Sequence, residues 1–371
     1  MTEGVPEPAT YALQSAVSGT MPAPDLPYQP PMPRHYRPKI GLIGAGGIAA
    51  SHLAAYAEAG WQVAAICNRT RSLALARAQE FAPMARVTDR FEDILADPTI
   101  DVVDITPHPA DRLAIIEAAL MAGKHVLSQK PFVLDLDDGA RLVALARDRG
   151  VKLAVNQNGR WAPHLSWMRC AVKAGLIGDV VSLHCCVHWN HGWIAGTPFE
   201  RIPDVILYDF AIHWFDFVHS IVGGRAESVI AMASAAIGQT AAAPLLAQVL
   251  IRLDRGQASL VFGGSTPFGP RDTTFIAGTR GSLSSDGPDL GRQSVTLTTA
   301  EGQARPDLQG TWFNDGFRGT MGALLVAIED DSEPANGARE NLASLAMAFA
   351  AIRSRQTGRE VAVGTVRRVE L

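Results

Sequence analysis

The chain has 371 residues, 47% of them apolar and 19% charged, with a formal net charge of −4; it is too long for one ordinary core and rich enough in apolar side chains to fill two. Mild acidity and the absence of any Lys/Arg run exclude a surface that tracks phosphates, so no nucleic-acid partner is expected. The least charged long stretch, Ser228 to Ile251, contains Gln, Thr, Pro and Gly and reads as two strands rather than a membrane span.

In chain order, nine of the 23 prolines precede Lys39, so residues 1–38 are read as an extended Pro-rich arm with too few apolar residues to fold alone. This stretch has neither a basic start followed by an apolar core nor a twin-arginine pair. Cys67, Cys170, Cys185 and Cys186 lack C-x-x-C spacing, which suits reduced, buried thiols; the expected compartment is the cytoplasm. From Lys39 short apolar strands alternate with helices: KIGLIG, a helix to Ala59, QVAAICN, a helix from Ser72, DVVDITP, a helix from Asp111 closed by Gly123, and KHVLS. A further helix starts at Asp135 as N-cap and stops at Gly150, and VKLAVNQ follows as a strand. That rhythm predicts an α/β fold, a Rossmann doubly wound parallel sheet over 39–158. Beyond Arg160 the strands lengthen and adjoin, with Asp254-Arg255-Gly256 as a hairpin turn. Residues 159–371 are therefore read as a second α/β domain with an open, mainly antiparallel sheet. The last two helices, amphipathic at i, i+3, i+4 spacing, are expected to cover it.

Gly44 and Gly46, with Ala49 in the third small position, stand between an apolar strand and a helix. One glycine allows the tight turn, the next lets backbone approach a pyrophosphate, and the helix N-terminus offers free N–H groups. Gly44, Ala45, Gly46, Gly47 and Ile48 are thus assigned to a dinucleotide. Where a carboxylate would bond the ribose of NAD, the chain has Asn68, then Arg69 and Arg71; nothing there repels a 2′-phosphate, so NADP is favoured, with NAD open. Lys130, one of five lysines, ends a strand on the carboxyl edge, where open α/β sheets bind ligands, and Pro131 restricts it to extended conformations. An ammonium there can hold a carbinol or carbonyl oxygen. Asp209 and His213, four apart, share a face if their segment is helical; the histidine is the acid/base candidate and the aspartate its orienting group.

These stretches, GLIGAGGIA, DVVDITP, AGKHVLSQKPF, AGLIGDVVSLH and DFAIHWFD, occur in an order and spacing that resembles the Gfo/Idh/MocA oxidoreductase family from about Lys39 onward. The resemblance implies NAD(P)-linked redox chemistry on sugars, polyols or related compounds. QKP matches the family's E-K-P at Lys130 and Pro131 with Gln129 for the glutamate, and DFAIH its D-x-G-x-H with Ala211 for the glycine. Thr106 and Pro107 match its T-P turn beside the nicotinamide half of the cofactor, with Asp111 or Arg112 where a histidine often follows. NQNGRW makes Asn158, Arg160 and Trp161 pocket candidates. His184, His188 and His191 invite a zinc site, but the family uses no catalytic metal; they are read instead, with Trp189 and Trp193, as contacts to sugar hydroxyls and ring faces. The family also implies a homodimer or homotetramer, the arm crossing a neighbouring subunit. The expected function is NAD(P)-dependent hydride transfer at a secondary alcohol or carbonyl of a sugar or polyol. The alternatives are a glycoside-cleaving enzyme that recycles a bound cofactor and a non-catalytic cofactor-binding regulator.

Overall fold

The computed structural model describes residues 19–370. Its first half runs β1 (Lys39–Ile43), α1 (Ala49–Glu58), β2 (Val63–Cys67), α2 (Arg71–Phe81), β3 (Arg86–Thr88), α3 (Glu92–Leu95), β4 (Ile100–Ile105), α4 (Pro109–Met121), β5 (His125–Gln129), α5 (Leu136–Asp148) and β6 (Leu153–Asn156). The six strands form one parallel sheet in the order β3-β2-β1-β4-β5-β6. Alternate residues of each strand enter two different cores, Ile40, Leu42, Ile66 and Val102 on one face and Ile43, Cys67, Val103 and Ile105 on the other. Burial on both faces is why these strands read as unbroken apolar runs. As expected, Asp135 caps α5, its carboxylate accepting from the Asp137 N–H at 2.8 Å.

The second half runs α6 (Pro163–Lys173), β7 (Val180–His188), α7 (Ile212–Val222), β8 (Ala226–Ser234), β9 (Leu246–Leu253), β10 (Gln257–Gly263), β11 (Arg271–Gly278), β12 (Gly281–Asp289), β13 (Arg292–Thr299), β14 (Gly302–Ala304), α8 (Trp312–Glu329), α9 (Ala338–Thr357) and β15 (Val361–Ala362). Its nine strands lie in the order β14-β13-β12-β11-β7-β10-β9-β8-β15, antiparallel except for the β7–β10 pair. One face is packed, with α9 on β8. The other presents Val181, Ile230, Met232, Leu250 and Phe275, all at least 44% exposed. Among the described residues, no helix is long and apolar enough to cross a membrane.

One expectation needs correction. The last two helices do not both cover the second sheet: α8 packs on α1 and β6 and gives Phe317, Met321, Leu324 and Leu325 to a core of the first half. Amphipathic spacing shows that a helix has an apolar face, not which sheet receives it. Residues 19–38 of the arm lie along the body of their own chain. The Met21 N–H donates to the Gln303 carbonyl at 2.9 Å, Ser166 Oγ donates to the Tyr28 carbonyl at 2.7 Å, and the Glu329 carboxylate accepts from the N–H groups of Arg34, His35 and Tyr36 at 2.7, 2.6 and 3.1 Å. The Pro31 carbonyl sits 2.0 Å from where a Cβ on Gly322 would stand, so only glycine lets the arm lie so close to α8. Residues 1–18 of the arm are outside the described part.

Candidate active site

The carboxyl ends of β1, β2, β4 and β5 open into a crevice of about 970 Å³, closed on its far side by Phe199, Ile202, Tyr208 and Asp209 of the second half. Gly44 turns the chain at φ +97°, and a Cβ there would strike Thr106 Oγ1 at 2.4 Å; Thr106 in turn donates to the Gly44 carbonyl at 3.0 Å. At Gly46 and Gly47 a Cβ would meet nothing within 4 Å, so the loop leaves open space over its amides at the start of α1. This is the cradle a dinucleotide pyrophosphate needs, and the residues fit that group. Gly44, Gly46, Gly47, Ile48, Asn68, Arg69, Thr106, Pro107, Gln129 and Lys130 all line the crevice. Ala45 does not: it is buried, and its N–H donates to Asn68 Oδ1 at 3.0 Å. Asn68 is therefore a brace for the glycine loop. Arg69 reaches across the mouth to Asp111 at 3.2 Å, both exposed.

Lys130 follows β5 directly and precedes a cis peptide bond to Pro131. Its Nζ donates to the Asp209 carbonyl at 2.9 Å and lies 3.1 Å from the Asp209 carboxylate. Behind it, the fully buried Arg112 donates to the carbonyls of Gln129 and Pro131 and so clamps the strand end on both sides of the lysine. Burial lowers the Arg112 guanidinium to about 10, so it remains charged at neutral pH. Asp111 lines the crevice, and so does His108, which sequence reasoning missed; His108 caps α4, its Nδ1 accepting from the Ala110 N–H at 3.4 Å. Burial and the nearby Arg112 charge hold His108 below the usual imidazole range. Its position directly after Thr106-Pro107 was the available signal.

Asp209 lies in a π-helical turn, Ile206–Phe210, that runs into α7. Here the pairing expected between Asp209 and His213 is corrected: no hydrogen bond joins them, and the carboxylate goes to Lys130 instead. His213 is not among the residues lining the crevice; it is partly exposed, packs edge-on against Trp312 at 5.5 Å, and has a buried Nδ1 with no partner. Burial, aided by the Lys130 charge, pushes it well below the usual imidazole range. Asn158 and Arg160 are not crevice residues. Asn158 Oδ1 accepts from Trp312 Nε1 at 2.9 Å, while Arg160 forms a buried two-point ion pair with Asp216 at 2.6 and 2.9 Å; sequence cannot show that a second-half carboxylate claims it.

The three histidines after β7 begins do not converge. His184 meets Ser259 Oγ at 2.7 Å, His188 meets Cys186 Sγ at 3.1 Å, and His191 accepts from Trp189 Nε1 at 2.9 Å. Among the described residues no group of three His, Cys, Asp or Glu side chains could hold a metal. His191 is buried among Trp189, Trp193 and Phe210, and burial lowers it to about 4.

A parallel sheet with a glycine cradle and a lysine facing a carboxylate across its carboxyl edge defines a nucleotide-dependent oxidoreductase architecture. Two family models match the chain: an oxidoreductase family with an NAD-binding Rossmann fold over residues 38–157, and the Gfo/Idh/MocA C-terminal domain over 166–284. The chain belongs to the Gfo/Idh/MocA oxidoreductases. It is 26% identical over 333 residues to an inositol 2-dehydrogenase of Rhizobium meliloti (strain 1021), covering 88% of this chain and 99% of that one. It is 28% identical over 343 residues to a 1,5-anhydro-D-fructose reductase of Ensifer adhaerens, covering 88% and 98%. Among solved structures, an oxidoreductase from Agrobacterium radiobacter in complex with NAD+, L-tartaric acid and magnesium superposes with a TM-score of 0.80 at 22% identity, covering 89% of this chain and 99% of that one.

Proposed function

We propose that the protein transfers hydride between a nicotinamide cofactor and a secondary alcohol or carbonyl of a sugar, polyol or derivative. The observation that carries this reading is Lys130, set against Asp209 on the carboxyl edge of the sheet. An ammonium has three donors. Two directions are taken by the Asp209 carbonyl and carboxylate, which leaves one N–H for the reacting oxygen and favours its negatively charged form. Asp209 is then the group that positions the lysine. His213, held neutral, takes the hydroxyl proton in oxidation and returns it in reduction. The nicotinamide, when bound, supplies the hydride acceptor or donor. The aromatic group around His191 and Trp193 suits the faces of a sugar ring. The inositol, apiose and anhydrofructose enzymes among the relatives support a polyhydroxylated substrate. Screening aldoses, inositols and anhydrosugars for reduced-nicotinamide absorbance with NAD and NADP tests the reading; a protein that binds cofactor and turns over none of them contradicts it.

Two finer points belong to the same reading. NADP is the preferred cofactor, because Arg69 leaves an exposed ion pair worth about 0–1 kcal/mol to meet a 2′-phosphate; Arg69→Ala weakens NADP and spares NAD, and equal losses remove the argument. The exposed apolar face of the nine-stranded sheet supports a homodimer or homotetramer joined there. Light scattering that reports a monomer sinks that assignment.

A further inference from the structure

Gln129 stands where the resembled motif carries a glutamate, and the hydrogen bonds around it fix which way its amide faces. The atom 2.7 Å from the Lys130 backbone nitrogen must be oxygen, since a backbone N–H only donates. The same oxygen lies 2.9 Å from Asn156 Nδ2. Asn156 is oriented in turn from the far end of a buried chain. Asp104 accepts from Tyr56 at 2.6 Å and from His52 Nδ1 at 2.7 Å, which leaves His52 Nε2 as acceptor for Asn156 Nδ2 at 3.1 Å. Asn156 thus donates both to His52 and to Gln129, and Gln129 Nε2 is left over. It has no partner among the described residues and is not among the sealed, unpartnered atoms, while Gln129 itself, only 5% exposed, lines the crevice. A glutamate at this position would turn an acceptor, and a charge, to the same space.

We propose that Gln129 Nε2 donates a hydrogen bond to the carboxamide oxygen of the bound nicotinamide. The proposal rests on the reading that the crevice takes a dinucleotide. Gln129 lies on the floor beside Thr106 and the glycine loop, at the sheet edge a dinucleotide contacts first, and a primary amide donor is complementary to a neutral carbonyl oxygen. Both ends of Gln129 are then used: its oxygen fixes the backbone of Lys130, and its nitrogen fixes the ring that works beside that lysine.

The test titrates wild-type protein, Gln129→Glu and Gln129→Met with NAD, its thionicotinamide analogue and ADP-ribose, following tryptophan fluorescence with no substrate present. Glu keeps the acceptor for Lys130 and loses the donor; Met removes donor and acceptor together and adds no charge, so melting temperatures are measured alongside and either folded variant suffices. Wild-type protein prefers NAD over the thio analogue by roughly ten-fold, the worth of one good hydrogen bond. Both variants lose that preference and bind ADP-ribose as wild type does. An unchanged preference, or an ADP-ribose loss as large as the NAD loss in the Met variant, overturns the assignment. A protein that binds no dinucleotide overturns it and the cofactor reading together. One that binds NAD but oxidises no polyol leaves this result standing and sinks only the substrate assignment.

Discussion

The two walls of the crevice are built by different means. On the dinucleotide side, the end of β5 is held from every direction: Arg112 grips the carbonyls on both sides of Lys130, and Gln129 accepts from the lysine's own N–H. On the facing side, Asp209 comes from a π-helical turn, and His213, in the helix that follows and behind the crevice lining, carries a buried nitrogen with no partner. The first wall clamps its lysine from behind; behind the second stands an imidazole nitrogen with no partner. Such a division suits a site in which one group holds an oxygen still and another exchanges a proton, since a fully bonded imidazole has no lone pair to offer.

The predictions break that contrast one wall at a time. His213→Gln removes the base and keeps the volume, so turnover falls by about 10²–10⁴-fold with cofactor affinity unchanged; stopped-flow rates beside a binding titration check it, and a loss of less than three-fold would move the proton to another group. Arg112→Leu attacks the clamped wall. It strands two carbonyls at a site with no exposed surface, destabilising the protein by roughly 2–5 kcal/mol. Calorimetry shows this as a melting point roughly 5–10 °C lower, with activity falling too because the β5 end is released.

How much of this was legible follows the same division. The positions of Gly44 and Lys130 at the crevice and of Asp135 as a cap are legible because strand ends, tight turns and caps demand particular residue types at fixed offsets. Thr106 and Pro107 came with the resembled motif. Arg160 was misplaced because its partner, Asp216, lies 56 residues away and across a helix contact, and no local rule ties the two together. The link from Asp209 to His213 was misjudged because i, i+4 spacing puts two residues on one face without saying which neighbour claims either. His108 went unnoticed because a lone histidine after a T-P turn reads as a simple cap, which in part it is.

A smaller effect sharpens the comparison away from the crevice. His164, like His213, packs by Trp312 and has an unpartnered buried nitrogen, but it lies 3.7 Å from the buried Asp272. Burial lowers His164 from 6.5 to about 3 and raises Asp272 from 3.8 to about 7. Unfolded, the pair holds one proton between pH 3.8 and 6.5, on the histidine; folded, it holds one between about 3 and 7, on the aspartate. The counts match, so the pair adds no slope to stability over that range. In Asp272→Asn the folded site holds none while the unfolded histidine still binds one. Stability then falls as pH drops from 6.5 toward 3.8, by about 1.4 kcal/mol per pH unit beyond the wild-type trend. Denaturant midpoints at several pH values check it; parallel curves would show that the two groups do not titrate as a pair.

The central claim is that Lys130 holds the reacting oxygen while the rest of its wall holds the cofactor. Lys130→Met keeps the packing and removes the ammonium, so the direct measurement is NAD(P) affinity and turnover on the same variant. The account predicts a dissociation constant within about three-fold of wild type and turnover lower by at least about 10³-fold, the scale of losing one oxyanion donor. Turnover within ten-fold of wild type on the true substrate, with the cofactor still bound, would contradict it.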